Sequence, residues 1–239
     1  MILRETSRGF LLIAQHEHGL ISGEFARCLS ETLTRGRLEK RVLHAISNHD
    51  RAWQNPDSKI LWNEKENRPY SFVDHPPEPK TAAYTRFLDR MESEDPYTGL
   101  LCSAHYGSLV KDSEDPRERR FAEGERDRRK RIRTKLTEKE LSSFGRDFAV
   151  LQFSDDLSLF VCLNEPGKNE HPWYRDGLFF MEEKFMPVWR DAATLTFEPY
   201  PFDAGAGEFA VEVPYRVFGR DRERKEAGSY RVRVAPEQG

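Results

Sequence analysis

The sequence predicts a mainly α-helical bundle carrying a small C-terminal antiparallel β-sheet, α+β overall. Three features predict it. Apolar residues recur at steps of three and four in successive stretches between Ala14 and Leu163. Clean alternation begins only after about residue 190. The turn-forming run Asn164-Glu165-Pro166-Gly167 ends the last helical stretch. The expected units are a helical domain over 1–190 and a β appendage over 191–239 packed on it, which a strand within 1–13 can join.

The first 13 residues alternate loosely around Arg8-Gly9 and suit a short hairpin. From Ala14 the period changes: Ala14, His18, Ile21, Phe25 and Leu29 share one helix face. A second helix fits Leu38 to about Trp53, with Val42, Ala45, Ile46 and His49 in one stripe. Residues 54–80 are rich in Pro, Asn and Asp and read as a long loop. A loop of that length in a compact domain is usually functional or mobile. Helix returns from Thr81 to about Glu92, stops near Asp95-Pro96 and restarts over Tyr97 to Val110. A charged stretch, Arg117 to Lys135, follows. Thr137-Glu138-Lys139-Glu140 matches a capping box and opens a helix that runs to Leu163. Its part from Phe148 onward is apolar nearly all round, so it is expected to be the buried helix of the bundle. The strands expected after residue 190 cover Thr194–Glu198, Phe209–Val217 and Tyr230–Val234, the last two joined by the charged turn region Gly219 to Gly228.

The 239 residues suffice for one substantial core. Charged residues make up 33% of the chain, so the surface is expected to be highly charged, while 12% aromatic residues argue against disorder. A net charge of −3 gives no global pull toward nucleic acid or membranes. No run approaches the ~20 apolar residues that span a bilayer, and Phe10 to Ala14 is too short for a signal peptide. Cys28, Cys102 and Cys162 lie far apart without CxxC spacing, which argues against a zinc knuckle and for a reducing compartment. A cytoplasmic location is expected.

Four helical stretches place ligand-type side chains on apolar faces. His18 shares a face with Ala14, Ile21 and Phe25, whereas His16 lies about 200° away round the helix. His49 continues the Val42/Ala45/Ile46 stripe, and Asp50 borders it. His105 is four residues from both Leu101 and Leu109. Asp155 falls with Phe148, Leu151 and Leu159, but Asp156 also has apolar neighbours, and periodicity does not choose between them. A single inward His is most often a hydrogen-bonded core residue. Three inward His and two inward Asp on separate helices are harder to treat so, because each unpaired buried carboxylate costs several kcal/mol. The set suits a divalent transition metal such as Fe, Mn, Zn, Co or Ni.

The order His18, His49-Asp50, Asp155 resembles the H…HD…D signature of the HD superfamily of metal-dependent phosphohydrolases. His18-Gly19-Leu20-Ile21-Ser22 and Asp155-Asp156-Leu157 match its local patterns, and the second match favours Asp155 over Asp156. Arg51-Ala52-Trp53 stands where Gly-Lys is usual after the pair. The resemblance covers about residues 10–165. It implies an HD-like helical bundle with His18, His49, Asp50 and Asp155 on the metal and Asp50 and His105 in catalysis. His105 would hold a second metal or a substrate oxyanion. The chain is also similar to a smaller bacterial family of unknown function, through Gln15-x-x-His18, Ala45-Ile46-x-x-His49-Asp50-x-x-Trp53, Arg68-Pro69-x-x-Phe72, Ser103-x-His105 and Leu151-Gln152-x-x-Asp155-x-Leu157-Ser158-Leu159 with Cys162.

Trp53, one turn past the pair, is a candidate substrate wall as much as a core residue. Arg117 to Lys135 holds ten basic and four acidic residues. Its interspersed acids favour a solvated helix face over a nucleic-acid surface. Within it Arg128 keeps helical spacing with Phe121, Glu125 and Ile132 and is a candidate for a substrate phosphate. The expected activity is hydrolysis of a phosphate ester or anhydride in a small phosphorylated molecule. The alternatives are a non-catalytic HD-like binding or scaffold module and an iron-dependent oxygenase-type site. The sequence carries no signal for oligomeric state.

Overall fold

Alternation at the start of the chain produces a hairpin: β1 (Ile2–Thr6) pairs antiparallel with β2 (Gly9–Ile13). The structure is a computed structural model and describes residues 1–203, 205 and 207–237. Four residues of the expected C-terminal unit, at 204, 206, 238 and 239, lie outside the described residues. The helices are α1 (Gln15–Cys28), α2 (Glu31–Thr34), α3 (Lys40–Asn48), α4 (Pro77–Glu94), α5 (Pro96–Leu109), α6 (Pro116–Arg133) and α7 (Glu138–Leu163). Proline opens α4, α5 and α6, where its missing N–H has no intrahelical partner to lose. The expected capping box opens α7: Thr137 Oγ1 accepts from the Glu140 N–H, and the Glu140 carboxylate accepts from the Thr137 N–H.

Two stretches differ from expectation. The second helix stops at Asn48 rather than Trp53, and the chain continues as a 3-10 turn over Arg51–Gln54. The expected loop over 54–80 contains a 3-10 turn at Pro56–Ser58 and a small hairpin of β3 (Trp62–Asn63) and β4 (Arg68–Pro69), and it ends early because α4 begins at Pro77 rather than Thr81. Trp62 meets Phe10 edge-on, ring centroids 5.8 Å apart, in a second small core with Met1, Leu12 and Ile60.

The expected helical bundle with a small C-terminal sheet is incorrect. The remaining strands are β5 (Leu178–Phe180), β6 (Glu183–Trp189), β7 (Thr194–Glu198), β8 (Phe209–Phe218) and β9 (Arg224–Val234). They form one seven-stranded mixed sheet with the N-terminal hairpin, in the order β1-β2-β8-β9-β7-β6-β5. Only β7 and β9 run parallel. Two physical reasons account for the error. Pairing such as Phe10 with Phe218 joins ends of the chain whose local patterns do not name their partners. β5 is three residues long, Leu178 in, Phe179 out and Phe180 in, too short for a period to register.

The sheet also explains α7. One side of α7 packs on α1, α3 and α5, and the other on β1 and β5. Phe153 lies 5.6 Å from Phe180 and 5.1 Å from Phe185 between ring centroids, and Tyr230 Oη donates to the Val161 carbonyl at 2.7 Å. A helix between two layers needs apolar residues all round. One core runs from Ile2 and Ile13 through the helices to Val232 and Val234. The three cysteines are free, and no helix among the described residues is long and apolar enough to cross a membrane.

Candidate metal centre

Two glycines let α1 and α3 approach closely. A Cβ on Gly23 would lie 2.0 Å from Ser47 Oγ, and one on Gly19 would lie 3.4 Å from the Ser47 carbonyl oxygen. This puts His18 beside the end of α3. There His49 caps the helix, and Asp50, at φ −102° and ψ 15°, turns the chain into the 3-10 turn. That bridge conformation is sparsely populated and recurs at active sites. α5 supplies His105, and α7 supplies Asp155.

Asp155 Oδ1 lies 2.8 Å from His18 Nε2 and 3.2 Å from His49 Nε2. Asp50 Oδ2 lies 3.6 Å and 3.8 Å from the same nitrogens. His105 sits across from them: its Nε2 is 4.0 Å from Asp50 Oδ1, and its Nδ1 is 4.0 Å from Asp155 Oδ2. Two overlapping sets result, His18/His49/Asp155 and His49/Asp50/His105, each with ligand atoms within 4.8 Å of one another. All five residues are buried except Asp155, whose side chain is 14% exposed.

Hydrogen bonds orient the rings. His49 Nδ1 lies 2.7 Å from the Ile46 carbonyl oxygen, which can only accept, so the ring proton sits on Nδ1. His18 Nδ1 lies 2.5 Å from Ser158 Oγ. Ser158 donates to the Asp155 carbonyl at 2.9 Å, and Ser22 donates to the His18 carbonyl at 3.1 Å. Ser158 Oγ is thereby in hydrogen-bond contact with both His18 Nδ1 and, at 2.7 Å, Ser22 Oγ. Both Nε2 atoms face the carboxylates, as for ligating imidazoles, with His49 Nε2 in hydrogen-bond contact with Asp155 Oδ1 at 3.2 Å. Gln15 Nε2 holds Asp50 Oδ2 at 2.9 Å. His18 Nε2 and Asp50 Oδ1 are buried and have no hydrogen-bond partner among the described residues. The 2.8 Å approach of His18 Nε2 to Asp155 therefore lacks hydrogen-bond direction. Two orphaned atoms in a mixed N/O set fit a divalent transition metal.

The electrostatics are those of a site lacking one positive charge. Burial opposes a charged His49, but Asp50 and Asp155 outweigh it and raise His49 to about 9. A proton and a metal compete for that same lone pair. Burial pushes the Asp50 carboxyl up, against the pull of His49 and His18. Burial acts likewise on Asp155, but His49 and His18 overcome it and hold Asp155 well below the usual range. Burial and His49 push His105 down to about 3. Asp156, outside both sets, is raised to about 7 by burial and by Asp155.

A family model described as "Protein of unknown function (DUF3891)" matches residues 1–219. The chain belongs to that family. No curated protein and no solved structure matches it. The matched span of this DUF3891 member includes all seven helices and the five residues of the cluster.

The structure brings together His18, His49, Asp50, His105 and Asp155. It does not bring Arg128 to them. The Arg128 guanidinium faces α4, held by Glu92 at 2.8 Å, Glu125 at 2.9 Å and Asp89 at 2.5 Å. Trp53 is buried between His75 and Tyr84, at 5.2 Å and 5.7 Å between ring centroids. His16 is half-buried beside Glu17 and Arg51, outside the cluster. The sequence reading assigned no role to Ser22, Ser158 or Gln15. Their signal is position: Ser22 is four residues after His18, and Ser158 three after Asp155, each a polar residue on an inward face.

Proposed function

We propose that this chain is a metal-dependent hydrolase acting on a phosphate ester or anhydride. The observation that carries the reading is the convergence of two oriented Nε2 atoms and two carboxylates, from separate parts of the chain, with two of their atoms unpartnered. The resemblance of His18, His49-Asp50 and Asp155 to the HD superfamily supports the same reading. His18, His49, Asp50 and Asp155 would hold the metal. When bound, a divalent metal supplies Lewis acidity toward a phosphoryl oxygen and toward water. Asp50 Oδ1, free of hydrogen bonds, would accept a proton from the attacking water. His105, kept neutral by burial, would donate a hydrogen bond to a phosphoryl oxygen.

The test is elemental analysis of purified protein, followed by phosphate release from a panel of phosphomonoesters and nucleoside triphosphates. Bound transition metal, with phosphate release lost in Asp50→Asn, is the expected result. Wild-type protein that takes up no metal overturns the reading. A second reading, a binding or structural centre without turnover, is favoured by the burial of every cluster residue but Asp155. Stoichiometric metal without phosphate release across the panel would establish it.

A further inference from the structure

A cavity of about 650 Å³ lies between the 3-10 turn at Pro56–Ser58, Leu61 and the first turns of α4. A neighbouring one of about 240 Å³ shares Asn55, Ala83 and Arg86 with it. None of the five cluster residues lines either cavity. Arg86 stands where the two meet, with Lys59 lining the larger and Arg51 the smaller.

None of these three cations is in an ion pair within 4.0 Å or a side-chain hydrogen bond among the described residues, although Arg51 stands near enough to Glu94 to help lower its carboxyl. Two other charged side chains line the walls: Arg90 pairs with Glu94 at 2.7 Å, and Glu78 lies 3.9 Å from Arg117. Arg41, Arg68, Arg117, Arg128 and Arg222 have carboxylate partners, whereas the three cations here share the free state, among the described residues, of exposed cations such as Arg27, Arg35 and Arg120. What sets them apart is that they line one pair of adjoining cavities. The lining of the larger cavity also includes the apolar residues Pro56, Leu61, Pro79 and Ala82, and Leu61 is 46% exposed.

We propose that this double cavity binds a small phosphorylated molecule that also carries an apolar or aromatic group. Arg86 takes the phosphoryl group between Lys59 and Arg51, because a planar guanidinium matches two phosphoryl oxygens at once. The apolar group lies on Leu61, Pro79 and Ala82. The larger volume falls within the range of roughly 300–1,000 Å³ typical of small-molecule sites. His75 lines the cavity and packs on Trp53, three residues past Asp50, so the site is near the metal centre but does not share its ligands. The proposal stands whether or not the metal centre hydrolyses anything.

The probe is phenylphosphonate, an aromatic anion that cannot be hydrolysed as an ester, titrated into the full chain by calorimetry at low salt. Saturable binding is expected, weakened at least about tenfold in Lys59→Ala/Arg86→Ala and unchanged in Asp155→Asn. Both substituted cations are exposed, so the double variant keeps the wild-type thermal midpoint. Inorganic phosphate is expected to bind more weakly, since it leaves the apolar wall unused. Three results overturn the proposal: no saturable binding to wild type at millimolar probe, full binding by the double variant, or loss of binding in Asp155→Asn, which would place the anion at the metal centre.

Discussion

Two groups of charges in this chain, one half-exposed on α6 and one buried, are solved in opposite ways. On α6, Arg128 meets Glu125, Glu92 and Asp89, and Arg131 and Lys135 also reach Glu92. Every charge there has a counter-charge within contact distance. At the junction of α1, α3, α5 and α7, two carboxylates face three imidazoles, of which His105 is held neutral, and Asp50 Oδ1 and His18 Nε2 have no partner. Burying charge costs several kcal/mol unless it is paired and hydrogen-bonded. The α6 group meets the pairing condition by itself: even Glu125 Oε2, which has no hydrogen-bond partner among the described residues, lies 2.9 Å from Arg128 Nε. The His/Asp group does not, and the proposed divalent cation would complete it.

The largest effect expected from this difference is on the His/Asp group. Asp155→Ala removes the carboxylate shared by His18 and His49 and should reduce bound metal to background by elemental analysis. Chelator treatment should lower the thermal midpoint of the wild type and leave that of Asp155→Ala unchanged. Equal midpoint losses in the two would show that the chelator acts elsewhere. Arg128→Ala is the reciprocal change. It leaves Glu125 and Glu92 without their main partner and should cost about 3 kcal/mol in denaturant unfolding, with metal content per folded chain unchanged. Metal loss in that variant would erase the distinction between the two groups.

Gly23→Ala tests whether helix approach builds the site. Its Cβ would fall 2.0 Å from Ser47 Oγ and 3.0 Å from Ser47 Cβ, so α3 must shift. A stability loss of about 1–3 kcal/mol is expected, with weakened metal binding. Ser158→Ala removes the hydroxyl that holds His18 Nδ1 and should weaken metal affinity by about 10–100-fold, with little change in unfolding. An unchanged affinity would mean that Ser158 does not orient the ring.

The smallest effect is acid titration of the α6 group. Burial pushes the Glu92 carboxyl up, but Arg131, Lys135 and Arg128 outweigh it and hold it below the ordinary 4.5. A carboxyl with a lowered folded value stabilises above 4.5 and loses that contribution as pH falls through the folded value. Glu92→Gln should therefore flatten the stability–pH curve below pH 4.5 and leave its slope at neutral pH unchanged.

What was legible before the structure was local. The capping box at Thr137, the inward stripes that hold His18 and His49, and the breaks near Asp95-Pro96 and Asn164 depend on neighbours within a few residues, which set helix periodicity and caps. The same locality made Arg128 a candidate: its spacing marked it as inward, but spacing does not say toward what, and three carboxylates on α4 and α6 already hold it. The choice between Asp155 and Asp156 was likewise closed to periodicity, because apolar residues surround both on a helix packed on two sides.

By itself, then, the sequence determined where helices begin and which side chains turn inward, since backbone sterics and capping act over one or two turns. The tertiary structure decided the rest. It joined β2 to β8 and β7 to β9 across long separations, and it brought α1 against α3 through Gly19 and Gly23. It also separated a charge group closed by ion pairs from one left open. Pairing across a fold depends on which surfaces meet, and that depends on packing of the whole chain rather than on any one segment.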